Sequence, residues 1–561
     1  MNSTNSMNST NFMNSSNIAT ALIMTAARAP YRPALICPAG RDRSGRARFT
    51  QYNFAQLNEL VDGYAHGLSD YGLGPGERVL TLIRPGVDLV AVAFALFKIG
   101  AVPVFIDPGM GRQAFIQCVT ETEPTSFIGI PAAHLLRRVY PAAFRTIERY
   151  ITAGKPWFWG GACLAELRVQ PAAPFPLAPT TPDSEAAVAF TSGSTGIPKG
   201  VVYTHGIFHA IIDLLRQMGV EEGEIDQPGL PIFALFNPAL GLTTVIPEMD
   251  ARHPAKLNPA YWVESIRTHG VTTSFGSPTI WKIVGQYCLA NNLKLPSLRR
   301  IFMAGAPVPP RLIEQYHRHI LTGGQVQTPF GATEALPVSN ISGDEILSET
   351  APLTEQGRGA CLGRPLTGLT IKVIPISDDP VATWDDSLAL PTGQVGEIVV
   401  KGPVVTRLYL HRPEQTAKAK IQDGGEVWHR TGDLGYFDDQ GRLWMCGRKS
   451  HRVETAAGLM LPVPCEAIFN AHPEVARTAL VGVGPLSRQR PVLVVELKGG
   501  IIPTPPTRQR LINELLALGQ AHDHTRAIQD FLFHHAFPVD VRHNVKIQRE
   551  KLAVWAERQC R

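Results

Sequence analysis

Residues 79–107 show the clearest alternation of apolar and polar segments in the chain. VLTLI is a short run typical of a strand, VDLVAVAFALFKIG is long enough for a helix, and AVPVFID returns to a strand pattern. Such a strand–helix–strand unit predicts parallel strands with helices packed on their faces. The alternation recurs where YWVESIRTHG precedes VTTSFGSP and where LRRIFMAGAP precedes PPRLIEQYHRHI. We therefore expect a large α/β domain.

The pattern changes after residue 365 and again after GRKS at 447–450. The first change brings short alternating strands such as LTIKVIPI and GEIVVKG, which predict an antiparallel β subdomain appended to the α/β layers. The second brings a helix near PCEAIFNAHP, strands at RTALVGVG and PVLVVELKG, and a helical stretch at RQRLINELLALGQAH. These patterns predict a multi-sheet N-terminal domain over residues 18–449 and a small α+β C-terminal domain over residues 450–561.

Two segments could be mistaken for targeting or membrane signals. Residues 1–17 are a low-complexity tail rich in Asn, Ser and Thr, which we expect to be disordered and which lacks the basic and apolar regions of a signal peptide. The most apolar run, 89–106, is interrupted by Lys98, Gly100 and Pro103. It therefore falls short of the roughly 18 uninterrupted apolar residues of a membrane span, and no integral membrane segment is expected.

Composition excludes other classes of function. The length of 561 residues exceeds the roughly 250–300 at which a single core stops growing, so at least two domains are expected. The net charge of +5 contains no block of five or six basic residues, which argues against a nucleic-acid partner. The eight cysteines have neither a CxxC pair nor zinc-like histidine spacing, so they are expected to be reduced thiols of a cytoplasmic protein.

The strongest chemical signal is TSGSTGIPKG at 191–200, where glycines and hydroxyl residues lead to Lys199. A loop of this kind can wrap backbone N–H groups around phosphate oxygens. It is not a Walker A loop, because Lys199 follows a proline and VVYTH resumes as a strand. The pattern predicts a phosphate loop in a hairpin between AAVAF and VVYTH. The alternative is a plain solvent-exposed turn, which such clusters commonly form.

This segment resembles the signature of the adenylate-forming superfamily of acyl-CoA synthetases, adenylation domains and luciferases. The resemblance implies ATP as cofactor and a loop that binds its pyrophosphate through Thr191, Ser192, Gly193, Ser194, Thr195, Gly196 and Lys199. MAGAPVPP at 303–310 is similar to the family's adenine-side loop, which implies adenine contacts from Gly305, Ala306 and Pro307.

PFGATEAL at 329–336 resembles the family's aromatic-Gly-x-Thr-Glu element. The resemblance implies that Phe330 and Gly331 contact adenine, that Thr333 contacts the α-phosphate, and that Glu334 holds Mg²⁺. A carboxylate suits this role, because it can bridge a hard cation to phosphate oxygens. Taken alone, the segment would be a loop with one solvated glutamate.

RTGDLGYFDDQGRLWMCGRKS at 430–450 resembles the family's TGD and GR motifs. The resemblance implies that Asp433 binds the ribose hydroxyls and that Arg448 lies beside it. DVRHNVKIQREKL resembles the segment that carries the family's catalytic lysine, here Lys546. A cation at the α-phosphate would stabilise charge that grows in the transition state. Read in isolation, Lys546 would be a surface lysine.

Three departures from the common family pattern concern the subgroup: Ser450 at the usual hinge position, Asn544 and Val545 before Lys546, and Ala234 where many fatty acyl-CoA synthetases have histidine. FALFNPALG, PFGATEALPVS and RHNVKIQREKLA are most similar to the β-lactone synthetases of bacterial long-chain olefin biosynthesis. Residues 230–247 carry no charge, and Gly241, Gly276 and Ser277 are small. An aliphatic channel would need such residues, and a buried core explains them equally well.

The subgroup resemblance implies a two-step reaction on a long-chain 2-alkyl-3-hydroxy acid. The carboxylate attacks the ATP α-phosphorus, with Lys546 and Mg²⁺ neutralising charge, and the substrate's own 3-hydroxyl then closes a β-lactone and expels AMP. The base that takes the proton of that hydroxyl is not identified. His205 is a candidate because of its position in the sequence, and the alternative is that His205 has a purely structural role. The resemblance also implies a complex with the pathway's hydrolase and reductase.

Two other functions stay open at this point. One is a long-chain fatty acyl-CoA synthetase, which would consume CoA. The other is a non-catalytic nucleotide-binding protein descended from the enzymes. The second is disfavoured by the joint presence of Lys199, Thr333, Glu334, Asp433, Arg448 and Lys546.

Overall fold

A computed structural model of the chain describes residues 16–190, 198–539 and 547–560. Its helices are α1 Ala19–Arg28, α2 Phe54–Asp70, α3 Val87–Ile99, α4 Arg112–Thr122, α5 Pro131–Val139, α6 Leu164–Leu167, α7 His205–Gln217, α8 Asn237–Leu240, α9 Pro259–His269, α10 Pro278–Ala290, α11 Pro310–Gln315, α12 Gly343–Glu345, α13 Ala351–Glu355, α14 Pro413–Ala419, α15 Pro462–Asn470, α16 Pro505–Gln520 and α17 Arg549–Gln559.

The strands are β1 Pro33–Arg41, β2 Ala47–Asn53, β3 Arg78–Leu82, β4 Val102–Phe105, β5 Ser126–Gly129, β6 Arg149–Thr152, β7 Ala162–Cys163, β8 Glu185–Phe190, β9 Gly200–Thr204, β10 Ile225–Asp226, β11 Thr243–Val245, β12 Thr273–Gly276, β13 Arg300–Met303, β14 Gln325–Gln327, β15 Phe330–Ala332, β16 Ala335–Asn340, β17 Ala360–Pro365, β18 Thr370–Ile374, β19 Gly396–Lys401, β20 Lys420–Asp423, β21 Glu426–Phe437, β22 Leu443–Arg448, β23 Val453–Thr455, β24 Gly458–Met460, β25 Val475–Val483, β26 Arg490–Leu497 and β27 Asp530–Phe533.

Two mostly parallel sheets form the α/β layers. Sheet I has the strand order β7-β6-β5-β3-β4-β8-β9, and its strands are parallel except for the hairpin of β8 and β9. Sheet II has the order β14-β13-β12-β10-β11-β1-β2, with β2 antiparallel to β1. Because the carboxyl ends of parallel strands share one edge, the loops that follow them gather there. Most of the motifs identified from the sequence follow such strands.

Helix α3 explains the apolar run that resembles a membrane segment. All residues of α3 from Leu89 to Ile99 are buried, so the helix is surrounded by protein on every side. Lys98 is buried with them, and its ammonium group donates hydrogen bonds to Asp62 Oδ1 at 2.6 Å and to Asn58 Oδ1 at 2.9 Å. Within the described residues, no helix combines the length and the apolar character that crossing a bilayer requires.

Antiparallel strands follow the α/β layers, as the change of pattern predicts. Sheet III has the order β15-β16-β17-β22-β21-β19-β18, and β20 pairs with β21. Beyond it, β25, β26 and β27 form a smaller sheet, which packs with α15 and α16 around a separate apolar core. The predicted fold class is confirmed. The domain boundary at 449/450 and the mobility of the C-terminal domain stay predictions.

The predicted tail extends too far into the fold. Asn17 is fully buried, and its side-chain amide donates a hydrogen bond to the Phe97 carbonyl at 2.7 Å. The buried carbonyl end of α3 is thereby satisfied by a residue that composition alone assigns to the tail. Residues 1–15 lie outside the described residues.

Candidate nucleotide-activating site

The flanks of the proposed phosphate loop form the predicted hairpin. Strands β8 and β9 are antiparallel, with Phe190 opposite Gly200. The loop residues Thr191, Ser192, Gly193, Ser194, Thr195 and Gly196 lie outside the described residues. Lys199 is described: its Nζ atom lies 4.6 Å from the centre of the Tyr409 ring, and burial lowers the pKa of its ammonium group.

Residues 330–340 form a second hairpin, in which β15 and β16 are connected by the two-residue turn Thr333–Glu334. This hairpin follows β14 at the carboxyl edge of sheet II. Gly331 needs to be glycine, because a Cβ atom there would lie 2.9 Å from both the Ala335 carbonyl oxygen and Leu336 Cβ. The turn therefore presents the two polar side chains of the motif at the end of a closely packed strand pair.

Three side chains from other segments hold this turn in place. The Tyr203 hydroxyl donates a hydrogen bond to the Thr333 carbonyl at 2.5 Å. The backbone N–H of Thr406 donates to the Glu334 carbonyl at 2.9 Å, and its hydroxyl donates to the same oxygen at 3.1 Å. The Tyr409 hydroxyl donates to Glu334 Oε1 at 2.6 Å. The Glu334 carboxylate is thus oriented by a charge-assisted hydrogen bond.

Lys420 lies beneath this arrangement with its side chain buried. Its Nζ atom donates a hydrogen bond to Thr406 Oγ1 at 3.4 Å, and it lies opposite His429 in the pairing of β20 with β21. Burial lowers the pKa of Lys420 to about 7, although the Glu334 charge opposes the shift. Lys420 therefore supports Thr406, which in turn supports Glu334.

The adenine-side loop follows β13, the strand next to β14 in sheet II. Gly305 adopts φ +88°, a left-handed conformation that glycine reaches without strain. Ala306 is half-buried, Pro307 is exposed, and Phe330 is half-buried after the neighbouring strand. The residues predicted to contact adenine come from two segments that are separate in the sequence, and these segments follow adjacent parallel strands.

Asp433 and Arg448 are directly opposite each other in the pairing of β21 with β22. Arg448 Nε lies 3.2 Å from Asp433 Oδ1, and the aspartate side chain is almost fully buried. Gly432 has φ +70° at an irregularity of β21, and the Asp433 N–H donates to Thr431 Oγ1 at 3.1 Å. The irregular strand fixes the direction of the carboxylate, and the arginine keeps a positive charge beside it.

The sequence profile of the AMP-binding enzyme family matches residues 23–410. The chain belongs to this family. Curated olefin beta-lactone synthetases from Xanthomonas campestris pv. campestris and Stenotrophomonas maltophilia are 44% and 45% identical to it, covering 97% and 96% of the chain and 98% of each relative. A curated long-chain-fatty-acid–CoA ligase from Thermus thermophilus is 28% identical over 86% of each chain.

Solved structures agree with the family's fold. The amide bond synthetase McbA from Marinactinospora thermotolerans superposes with a TM-score of 0.77 at 23% identity, covering 96% of this chain and 99% of that one. Together with the sequence relatives, the family match identifies an ATP-dependent adenylate-forming ligase. The predicted resemblance to the family and to its β-lactone synthetases is confirmed.

Within this family member, the described structure brings Lys199, Thr333 and Glu334 together through Tyr203 and Tyr409. Lys546 lies outside the described residues, so its catalytic role stays a prediction. Tyr203, Thr406, Tyr409 and Lys420 are contributors that the sequence analysis did not identify. A signal existed, since Thr406 and Tyr409, together with Arg407, interrupt the mainly apolar stretch VVTRLYL.

His205 has a structural role. Its Nδ1 atom accepts a hydrogen bond from the Ile18 backbone N–H at 3.2 Å, and the ring is 1% exposed. Burial lowers the pKa of His205 to about 4. These contacts attach the start of α1 to the first turn of α7, and they favour the structural interpretation over a proton-accepting one.

The small residues of the acyl-side segment also have local reasons. Gly241 adopts φ +76° at the end of α8, and a Cβ atom at Gly276 would lie 2.7 Å from Trp281 Nε1. Ser277 caps α10, accepting a hydrogen bond from the Ile280 N–H. Ala234 is buried. Packing therefore accounts for these residues as well as a channel does.

Asp226 is a buried carboxyl group at the end of β10, beside this segment. It accepts a hydrogen bond from Asn237 Nδ2 at 2.7 Å. Burial raises the pKa of Asp226 to about 7; the Asn237 hydrogen bond opposes the shift, and the Glu224 charge adds to it. Between about pH 4 and pH 7 the folded state keeps a proton that the unfolded state has released, so the free energy of unfolding falls as pH rises through this window.

We expect Asp226→Asn to stabilise the enzyme, because the amide cannot ionise and still accepts from Asn237. The gain in unfolding free energy over wild type should grow by about 2 kcal/mol between pH 5.5 and pH 8. Urea unfolding at the two pH values measures it. Asp213→Asn is the matched control, since that carboxylate is largely exposed. A gain that does not change with pH would contradict the assignment.

Proposed function

We propose that this enzyme converts a long-chain 2-alkyl-3-hydroxy acid to a β-lactone, with ATP and Mg²⁺, and releases AMP and diphosphate. The observation that carries the proposal is the near full-length identity to curated olefin beta-lactone synthetases, well above that to the fatty-acid–CoA ligase. Ala234 and Ser450 support it, because both depart from the usual acyl-CoA ligase pattern.

In the first step, a substrate carboxylate oxygen bonds to the α-phosphorus of ATP, and the bond from that phosphorus to the bridging oxygen breaks. The hydrogen bond from the Tyr203 hydroxyl to the Thr333 carbonyl fixes the backbone of this turn, which supports a contact from Thr333 to the α-phosphate. Lys199 and Lys546 supply positive charge where negative charge grows on the phosphates. Asp433 accepts hydrogen bonds from the ribose hydroxyls, and the Phe330 ring lies against adenine.

Glu334 fits the role of magnesium ligand. A carboxylate has two oxygens, and Tyr409 donates to Oε1, which fixes the rotation of the group without neutralising it. Bound there, Mg²⁺ would neutralise phosphate charge and orient the triphosphate. Lys420 contributes through Thr406, which holds the backbone of Glu334 by two hydrogen bonds.

In the second step, the 3-hydroxyl oxygen of the substrate bonds to the acyl carbonyl carbon, the bond from that carbon to the phosphate oxygen of AMP breaks, and the hydroxyl proton is released to solvent. The nucleophile is tethered to the reacting carbonyl, so its effective concentration offsets the strain of the four-membered ring. No external thiol has to enter the site between the two steps.

The junction beside Ser450 supports a cycle that needs no thiol. Lys449 Nζ donates to the Ser377 carbonyl at 2.8 Å and to the buried Glu397 Oε2 at 3.0 Å. Arg452 pairs with Asp378 at 2.5 Å. Residues on both sides of Ser450 are therefore attached to the 377–378 segment, and a rotation of the C-terminal domain about Ser450 would break the contact of Arg452 with Asp378.

Ser450→Pro is accordingly expected to leave turnover within a few-fold of wild type, because restricting this backbone removes a rotation that the cycle does not use. AMP release and lactone formation are the two measurements, and Ser450→Ala is the matched control. Normal adenylate formation with a collapse of lactone formation would show that the C-terminal domain does rotate.

Incubation with a synthetic 2-alkyl-3-hydroxy fatty acid, ATP and Mg²⁺, with and without CoA, tests the product. We expect the ring protons of a β-lactone by NMR in both samples. A thioester that forms only with CoA, with no lactone in either sample, would assign the chain to the acyl-CoA ligases instead. A complex with the pathway's hydrolase and reductase, and a cytoplasmic location, belong to the same proposal and rest on the resemblance.

A further inference from the structure

One exposed surface stands out from the rest of the described chain because its apolar side chains are adjacent. Leu135 and Val139 of α5 are 39% and 65% exposed, and Trp157 and Phe158 of the following loop are 56% and 78% exposed. The other large exposed apolar side chains among the described residues are separated along the sequence, apart from the pair Ile501 and Ile502. We call the surface formed by Leu135, Arg138, Val139, Lys155, Trp157 and Phe158 the α5 patch.

The α5 patch is built on a rigid base. Trp159 is buried between its exposed neighbours and α5, and its indole N–H donates to Thr152 Oγ1 at 3.1 Å. Its ring stacks on His134 at 5.5 Å with an interplanar angle of 7°. The rings of Trp157 and Phe158 contact it at 5.0 and 5.6 Å. Two aromatic side chains are thus held out to solvent by a third that is fixed.

Helix geometry places the remaining members on one side of α5. Successive residues are about 100° apart around an α-helix, so Arg138, Leu135 and Val139 follow His134 within an arc of about 140°. Arg137 connects α5 to the loop that carries Trp159, because its guanidinium donates a hydrogen bond to the Trp159 carbonyl at 2.5 Å and lies over the Tyr150 ring.

The segment that carries the patch has an excess of positive charge. Between residues 124 and 165 the only acidic residue is Glu148, against five basic ones: Arg137, Arg138, Arg145, Arg149 and Lys155. Glu148 lies 3.9 Å from Arg149. Arg138, Arg145 and Lys155 are exposed. Exposed aromatic rings bordered by basic side chains are typical of proteins that lie on anionic lipid surfaces.

The patch is on the same side of the molecule as the nucleotide site. Helix α5 and the 153–161 loop follow the carboxyl ends of β5 and β6, and the proposed phosphate loop follows the carboxyl end of β8. These strands are parallel in sheet I, where β8 is four positions from β6. At about 4.8 Å per strand, the carboxyl ends of β6 and β8 are separated by roughly 20 Å.

We propose that the α5 patch docks the enzyme on the surface of an anionic lipid bilayer, with the two rings, Leu135 and Val139 entering the interface and the basic side chains contacting lipid phosphates. The inference rests on the proposed function, since a long-chain hydroxy acid is poorly soluble and resides in membranes. A protein partner would also cover apolar side chains, but the excess of positive charge, with Arg138 and Lys155 exposed beside the rings, favours an anionic sheet of headgroups over a mixed protein surface.

The test is co-sedimentation of the full chain with vesicles of phosphatidylglycerol and phosphatidylcholine, or of phosphatidylcholine alone, without ATP or acid. We expect binding to the anionic vesicles that weakens in 0.5 M salt, and at least 10-fold weaker binding for Trp157→Ser/Phe158→Ser and for Arg138→Glu/Lys155→Glu. Ile501→Ser/Ile502→Ser is the matched control and should bind like wild type. Thermal melting of each variant checks that the fold is kept.

Activity separates this inference from the proposed function. With a short, water-soluble 3-hydroxy acid all variants should release diphosphate at the wild-type rate, whereas the patch variants should be about 10-fold slower on a long-chain acid presented in anionic vesicles. Failure of wild type to bind anionic vesicles, or unchanged binding by both patch variants, overturns the inference whatever the product proves to be. Patch-dependent self-association without vesicle binding would assign the surface to a protein partner instead.

Discussion

Lys546→Ala is expected to slow diphosphate release by about 10²- to 10³-fold while ATP binding is largely kept. The family resemblance implies that this lysine contacts the α-phosphate, where its charge would act on the transition state more than on the bound ground state. Diphosphate release with a saturating acid measures the first effect, and titration calorimetry with ATP measures the second.

Lys551→Ala is the matched control for that experiment. Lys551 lies five residues later, in α17, with an exposed side chain, so its removal changes net charge equally but should leave the rate unchanged. Diphosphate release by Lys546→Ala at near wild-type rate would refute the catalytic role. A proportional loss of ATP affinity would instead show that the lysine binds the ground state.

Glu334→Gln is the second variant with a large expected effect, again about 10²- to 10³-fold on diphosphate release, because it removes the negative charge proposed to hold Mg²⁺. The amide keeps the size of the side chain and can still accept from Tyr409, so the turn should persist. The concentration of Mg²⁺ required for half-maximal rate should rise, and this dependence is the decisive measurement.

Tyr409→Phe provides the graded comparison. It leaves the carboxylate in place and removes one hydrogen bond to a charged group, a loss of about 1.5–3 kcal/mol and hence a rate decrease nearer 10- to 100-fold. An unchanged Mg²⁺ requirement in Glu334→Gln would move the metal to other ligands. Equal losses in the two variants would indicate that the tyrosine has a larger part than orienting the carboxylate.

The sequence predicts the local parts of this site because each part is contiguous. The hairpin of Phe190 and Gly200, the turn at Thr333–Glu334 and the pairing of Asp433 with Arg448 are all visible as short motifs. The contacts that orient these parts could not be predicted in this way. They join residues far apart in the chain: Tyr203 to Thr333, and Thr406 and Tyr409 to Glu334.

The boundary of the N-terminal tail and the role of the small acyl-side residues are also hard to predict from the sequence, because both depend on side-chain contacts. Asn17 looks like tail from composition, but it satisfies a carbonyl of a helix that begins 70 residues later. Gly276 and Ser277 suggest a channel by size alone, whereas the structure shows a tryptophan ring and a helix cap that require them locally. Long-range packing decides the position of Asn17, and side-chain contacts to the adjacent helix α10 decide Gly276 and Ser277; a periodic pattern reports neither.

The position of Tyr409 has a consequence for how this lineage can diverge. The same side chain contacts the carboxylate of Glu334 and the ammonium group of Lys199, which come from two sheets. A substitution at any one of the three residues alters the surroundings of the other two. Substitutions that preserve activity would therefore have to change all three together. In an alignment of descendants, we expect these three columns to be inherited as a block, even where the acyl-side residues drift independently.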